Sequence, residues 1–321
     1  MRKRLTILFF IPLFTFLVSC QNQANQKKIG VIIPIQYTAL DEIVDGFRKA
    51  LSNQYHGKVM IKTANAQGDP NLLRTIVQQM QNENFDLFVP IGSTATEMTL
   101  GLVRQRPVIS LASTLSQTDR LAMPVCHVSV VHDEISPRKL LRFIQTLNPS
   151  LKEIVLVHSP TDKIYRQVQT LIKEAKSLDM AIEPRMIQNL TELYSVTNAL
   201  PDKTQALLVL KDPLIASGIA TLVQVAQKKR LPLITADQGT VKDGATMSLG
   251  VKEQDIGKKG AILAAAILSD QKPCALPIQE LSSLYIFVNQ EHLASSGLSL
   301  NAIKKTAQRL HYPMMFVKHD A

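Results

Sequence analysis

Short apolar runs alternate with stretches of helical periodicity along most of this chain, and that alternation constrains the fold more than any other feature. Ile29 to Ile33, Val59 to Thr63, Leu87 to Ile91, Val108 to Leu111, Val125 to Val131, Glu153 to His158, Ala181 to Ile187, Ala206 to Leu210, Leu233 to Ala236 and Thr246 to Leu249 read as strands. Between them, sets such as Leu40, Ile43, Val44, Phe47 and Leu51, or Leu72, Leu73, Ile76, Val77 and Met80, recur at helical spacing. Strand and helix in repeated alternation demand parallel sheets covered on both faces. The pattern breaks at Leu115 to Val125. That break argues for two doubly wound sheets over one long sheet or an eight-stranded barrel, although the alternation alone leaves the barrel open.

The strand ends are built alike. Leu87 to Ile91 stops at Gly92, Ser93 and Thr94, and Ala95, Met98, Leu102 and Val103 follow at helical spacing. The unpaired N–H groups of such a helix start point outward at the carboxyl edge of the sheet, where anions bind. Val108 to Leu111 ends at Ala112, Ser113 and Thr114, again small and hydroxylic. Adjacent strand ends of this kind mark the crevice in which open α/β sheets take ligands, and they also suit ordinary helix caps.

The N-terminus places the protein outside the cytoplasm. Arg2, Lys3 and Arg4 precede an apolar run from Leu5 to Val18, too short for a comfortable membrane span and typical of a secretory leader over residues 1–19. Leu17-Val18-Ser19-Cys20 resembles the lipobox of bacterial lipoproteins, which implies lipidation at Cys20 and a polar tether over residues 20–27. The expected location is a membrane surface, inner or outer, facing the periplasm or exterior.

The chain carries a net charge of +10, and loss of Arg2, Lys3 and Arg4 with the leader leaves +7. The basic residues are scattered and lack aromatic interleaving, so they read as solvated faces and imply no nucleic-acid partner. No Gly-x-Ser-x-Gly elbow, phosphate loop or Gly-x-Gly-x-x-Gly occurs, so no enzyme class is indicated and no cofactor is expected. His127, His132 and Asp133 are the densest set of metal-ligand types, at a spacing that forms no regular site, so no metal is expected.

Several segments together resemble the lipoprotein substrate-binding subunits of ABC transporters, of the type that includes tryptophan- and aromatic-amino-acid-binding members. They are Ile29-Gly-Val-Ile-Ile-Pro34, Ala39-Leu-Asp41, Gly46-Phe-Arg-Lys-Ala-Leu51 and Asn65-Ala-Gln-Gly-Asp69, then Ile234-Thr-Ala-Asp237, Lys242-Asp-Gly-Ala245, Leu249-Gly-Val251 and Asp255-Ile-Gly257. The resemblance spans Lys28 to Gly297 and implies a type I periplasmic-binding-protein fold, two lobes joined by three crossings. Lobe one is expected over 28–128 and 245–271, and lobe two over 129–244 and 272–321. Cys126 and Cys274 then both fall at crossings, close enough to be bonded; a Cα separation beyond ~7 Å would exclude the bridge.

The implied partners are a small-molecule ligand and an ABC permease in the inner membrane, the protein itself being a lipid-anchored monomer. The same fold also serves lipoproteins that sense a ligand for a membrane kinase or cyclase. The strand-end residues expected in the cleft are Gln36, Tyr37, Ser93, Thr94, Ser113 and Thr114 from lobe one, with Ser159, Asp212, Asp237 and Gln238 from lobe two. Ser93, Thr94, Ser113 and Thr114 would hold the carboxylate of an amino acid, Asp237 helped by Asp212 its ammonium, and Tyr37 an aromatic side chain. The chain departs from the family at Lys211-Asp212-Pro213 and at Thr114-Leu115-Ser116-Gln117. A lysine at the first of these positions suggests an anionic ligand group as the alternative.

Overall fold

The computed structural model describes residues 26–123, 126–281 and 283–318. The expected leader, the lipidation position Cys20 and most of the tether lie outside the described residues. Among those described, no helix is long and apolar enough to cross a membrane.

Among the described residues, twelve strands form two open sheets. The first sheet contains β1 (Lys27–Ile33), β2 (Val59–Asn65), β3 (Leu87–Pro90), β4 (Val108–Leu111) and β5 (Val128–Val131), in the order β2-β1-β3-β4-β5. The second contains β6 (Glu153–His158), β7 (Ala181–Met186), β8 (Ala206–Val209), β9 (Leu233–Thr235), β10 (Met247–Gly250), β11 (Tyr285–Asn289) and β12 (Met314–Val317), in the order β12-β11-β10-β9-β8-β6-β7. All pairings in the first sheet are parallel, and in the second only β11 meets its neighbour β10 antiparallel. The central strands are buried throughout, as sheets covered by helices on both faces require. Both sheets are open, so the barrel is excluded.

The chain crosses between lobes at places the sequence only partly indicated. The first sheet keeps the chain through Val131, so the first crossing follows β5 and does not cut it. Strand β10, expected in lobe one, lies in the second sheet because Met247 pairs with both Ile234 of β9 and Val288 of β11. The second crossing is therefore Val251 and Lys252, ahead of the helix Glu253–Leu268, and not Gly244. Residues 272–279 stay with the first lobe: Ser129 Oγ donates to Pro273 O at 2.9 Å, and Gln279 bridges Val131.

Two glycines explain how the helix Glu253–Leu268 joins lobe one. It crosses the helix Thr38–Gln54 with Gly46 and Gly257 at the contact, where a Cβ on Gly46 would overlap Gln254 O and one on Gly257 would overlap Ile43 O. The backbones touch there, which only a residue without a side chain permits. Cys126 and Cys274 form a disulfide with their Cα atoms 5.7 Å apart, but both lie within lobe one and not at crossings: the bond ties the approach to β5 to the segment 272–279 that packs on the same sheet. Beside it the buried Arg120 donates from Nη2 to the carbonyls of Leu276 at 3.1 Å and Pro273 at 3.4 Å.

Candidate functional site

The carboxyl ends of β1, β3 and β4 face those of β6, β8 and β9 across a cavity of about 470 Å³. The lobes meet beside it, where Thr38 Oγ1 donates to Asp243 Oδ1 at 2.6 Å and Lys242 pairs with Glu42 at 2.5 Å. Its apolar lining comes from both lobes: Ile35, Leu40, Ile43 and Leu73 from the first, Ile164 and Leu214 from the second. The lining also carries an ionic group of residues.

The apolar run of β3 ends at Gly92, whose φ of 85° and ψ of 161° suit a residue without Cβ. The helix Ser93–Leu102 starts there with no side-chain cap, so its first N–H groups open into the cavity beside Ser93 and Thr94. The Ser93 hydroxyl is buried and has no hydrogen-bond partner. Uncapped N–H groups and a free hydroxyl have the chemistry to meet an anion.

The ionic group centres on Lys211, which follows β8. Its ammonium lies 3.0 Å from Asp133 Oδ2 and 3.1 Å from Glu253 Oε1. Asp133, Glu253 and Asp237 are 5%, 1% and 1% exposed, so three buried carboxylates surround one largely covered cation. Burial would raise Asp133, but Lys211 and Lys163 outweigh it and hold the group below the ordinary aspartate range. Glu253 goes the other way: burial pushes it up to about 8 against the pull of Lys211. Burial likewise raises Asp237 despite the N–H that Thr240 donates to its Oδ1 at 2.8 Å. Lys211 itself is driven up, its burial overcome by Asp133, Glu253 and Asp237. The Tyr37 phenol stays protonated, raised by burial and then by Asp237, Glu253, Asp133 and Asp212 around it.

Of the residues expected in the cleft, Tyr37, Ser93, Thr94, Ser159, Asp212 and Asp237 line the cavity, and Gln36, Ser113, Thr114 and Gln238 do not. Gln36 is held at the rim by Asp41 at 3.2 Å and Asn65 at 3.2 Å. Ala112, at φ 52°, turns the chain so that Ala112 meets the cavity while Ser113 is buried behind it, its hydroxyl accepting from Ser110 Oγ at 2.5 Å. Asp212 lines the wall but is already committed: it accepts from Ser159 N at 2.6 Å, Leu214 N at 3.1 Å and Ile215 N at 3.4 Å. Lys211 is committed too, which removes the reading of it as an anion-binding rim lysine. His127 and His132 each place Nε2 on a carbonyl, of Val103 at 2.9 Å and Leu115 at 2.8 Å, and Asp133 points away to Lys211, so those three form no metal site.

Asp133 and Glu253 are the residues that sequence reasoning left out of the ligand site. Asp133 lies two residues past an apolar strand and Glu253 three residues past one, the same signal that picked out Asp237.

One consequence concerns pH. A carboxyl group whose folded-state pKa exceeds its unfolded value stabilises the fold fully below the unfolded value and loses that contribution as pH rises through the folded one. Glu253, raised from 4.5 to about 8, and Asp237, also raised, share this sign. The ligand-free protein is expected to lose a few degrees of melting temperature between pH 5 and 8, at most ~1.4 kcal/mol per pH unit per group. A flat profile in calorimetry over that range would contradict the assignment.

The model of the ABC transporter substrate binding protein family matches residues 28–310. The chain belongs to this family. An uncharacterised protein of Rickettsia prowazekii (strain Madrid E) is 33% identical over 302 residues, covering 92% of this chain and 96% of that protein. The tyrosine-binding protein of Clostridioides difficile (strain R20291) is 25% identical over 296 residues, covering 90% of this chain and 85% of that protein. Among solved structures, an ABC domain from Streptococcus pneumonia in complex with L-Trp superposes with a TM-score of 0.80 at 24% identity, over 87% of this chain and 98% of that one. This substrate-binding protein thus has its cavity in the gap between two lobes of the type I periplasmic-binding-protein fold.

Proposed function

We propose that this substrate-binding protein is an extracytoplasmic lipoprotein, anchored through Cys20, that captures a free amino acid and delivers it as a monomer to the permease of an ABC importer. One observation carries the ligand class. A buried carboxylate oxygen without a donor, Asp237 Oδ2, and an uncapped helix start at Ser93 and Thr94 line one cavity that also presents the apolar side chains of Ile35, Ile43 and Leu73. A zwitterion with an apolar side chain satisfies all three surfaces.

In this reading the carboxylate accepts hydrogen bonds from the backbone N–H groups and hydroxyls of Ser93 and Thr94, aided by the helix dipole. The ammonium donates to Asp237. Ile35, Ile43 and Leu73 receive the side chain, and a cavity of about 470 Å³ has room for a large one, in keeping with relatives described with tyrosine and tryptophan. Because the polar groups come from both lobes, occupancy favours the closed arrangement, with the crossings absorbing the rotation.

A thermal-shift screen of the mature protein against the amino acids tests the ligand class. A true ligand at 100 times its dissociation constant adds ~2.7 kcal/mol of stability. Absence of a shift with every amino acid at millimolar concentration would refute it. Uptake of the labelled ligand in a strain lacking this lipoprotein separates import from sensing, since a sensor leaves uptake normal.

A further inference from the structure

Asp237 Oδ2 is not the sole unsatisfied carboxylate oxygen on the cavity wall. Asp133 Oδ1 is also buried and has no hydrogen-bond partner, while Oδ2 of the same group is held by Lys211 at 3.0 Å. The two side chains belong to different lobes, Asp133 following β5 of the first sheet and Asp237 following β9 of the second. Both line the one cavity and both act on Lys211 and on Tyr37.

An unpaired carboxylate oxygen is costly to bury. Among the cavity's buried acids, Asp212 is satisfied by three backbone N–H groups and Glu253 by Lys211, so the deficit falls on Asp133 and Asp237. Lys163, at the cavity wall and half-buried, lowers Asp133 only through space. A primary ammonium has three N–H donors and can serve both oxygens at once, whereas a tertiary ammonium has one.

We propose that Asp133 is the second acceptor for the ligand's cationic nitrogen, so that one primary ammonium bridges Asp133 and Asp237 and the cleft selects for an unalkylated amine. This deepens the amino-acid reading and rests on it. Lys211 serves as the positioning residue: by occupying Oδ2 it leaves Oδ1 for the ligand. The ammonium then links the two lobes directly, and its loss affects closure as well as contact.

Isothermal titration of the mature protein tests this with L-tyrosine, L-tryptophan, tyramine and the deaminated analogue 3-(4-hydroxyphenyl)propionate. Asp133→Asn, which keeps an acceptor toward Lys211, is expected to weaken the amino acids at least tenfold and to change the deaminated analogue less than twofold. On the wild-type protein, N,N-dimethyl-L-tyrosine is expected to bind at least tenfold more weakly than L-tyrosine, a comparison that does not depend on any variant folding. Equal affinity of Asp133→Asn and wild type for the amino acids, equal losses for amino acid and deaminated analogue, or unimpaired binding of the dimethyl compound each overturns the proposal. If tyramine binds and neither amino acid does, the amino-acid reading falls while Asp133 is judged on tyramine by the same comparison. A wild-type protein that binds none of the amines overturns both.

Discussion

Replacing Lys211 with methionine is expected to lower the unfolding free energy by ~3–5 kcal/mol, the range for removing one partner from a buried ion-pair network. The methionine keeps an unbranched stem of similar length and deletes the cation that pairs with both Asp133 and Glu253. Asp133, which Lys211 holds ionised, is then left charged and buried, and Glu253 moves further toward its protonated form. Urea denaturation at pH 7 checks the size of the loss. A decrease below about 1 kcal/mol would show that the network is better solvated than its burial implies. Adding Asp133→Asn to Lys211→Met is expected to recover at least half of the loss, because residues of one network couple and the stranded charge is removed with its partner.

The second large effect is on affinity. Asp237→Asn is expected to weaken the amino acid ligand by ten- to about a hundred-fold, corresponding to one charge-assisted hydrogen bond of ~1.5–3 kcal/mol. Asparagine is as good a helix cap as aspartate, so the bond from Thr240 N to Oδ1 survives and the start of the helix Gln238–Lys242 is kept. Stability of the ligand-free variant should be unchanged or slightly higher, since burial already disfavours the charged form of Asp237. Titration calorimetry and a melting curve together separate the two roles. Undiminished affinity with a lowered melting temperature would make Asp237 a structural cap alone.

The disagreement between expected and observed lobe boundaries has a physical origin. Strand β10 is legible as a strand from Thr246 to Leu249, but membership of a sheet depends on its neighbours, here β9 on one side and β11 on the other. The apolar segment of β11 lies beyond the last element read from the sequence, and its antiparallel direction has no local signature. Helix Glu253–Leu268 was expected in lobe one, and Gly46 and Gly257 at its crossing with Thr38–Gln54 account for that placement.

Likewise, the site was legible as a set of strand ends and no finer. Ser113 and Thr114 have the right chemistry at the right strand end, yet past the positive φ at Ala112 Ser113 is buried behind the wall and neither residue lines the cavity. Asp212 and Asp237 both follow strands and both cap helices, and only the count of hydrogen-bond donors distinguishes them. Three backbone N–H groups meet Asp212, and Asp237 keeps one oxygen free.

By itself the sequence determined the alternation of strand and helix and the small, polar residues at the strand ends, because periodicity and strand-end chemistry are local and survive without the fold; the pair of lobes was implied by the family resemblance. Only the tertiary structure decided which acids are spent on backbone donors or on Lys211 and which oxygens remain for a ligand. That distinction depends on residues from β5, β8, β9 and the helix Glu253–Leu268 meeting in one buried space, where each unpaired charge is costly.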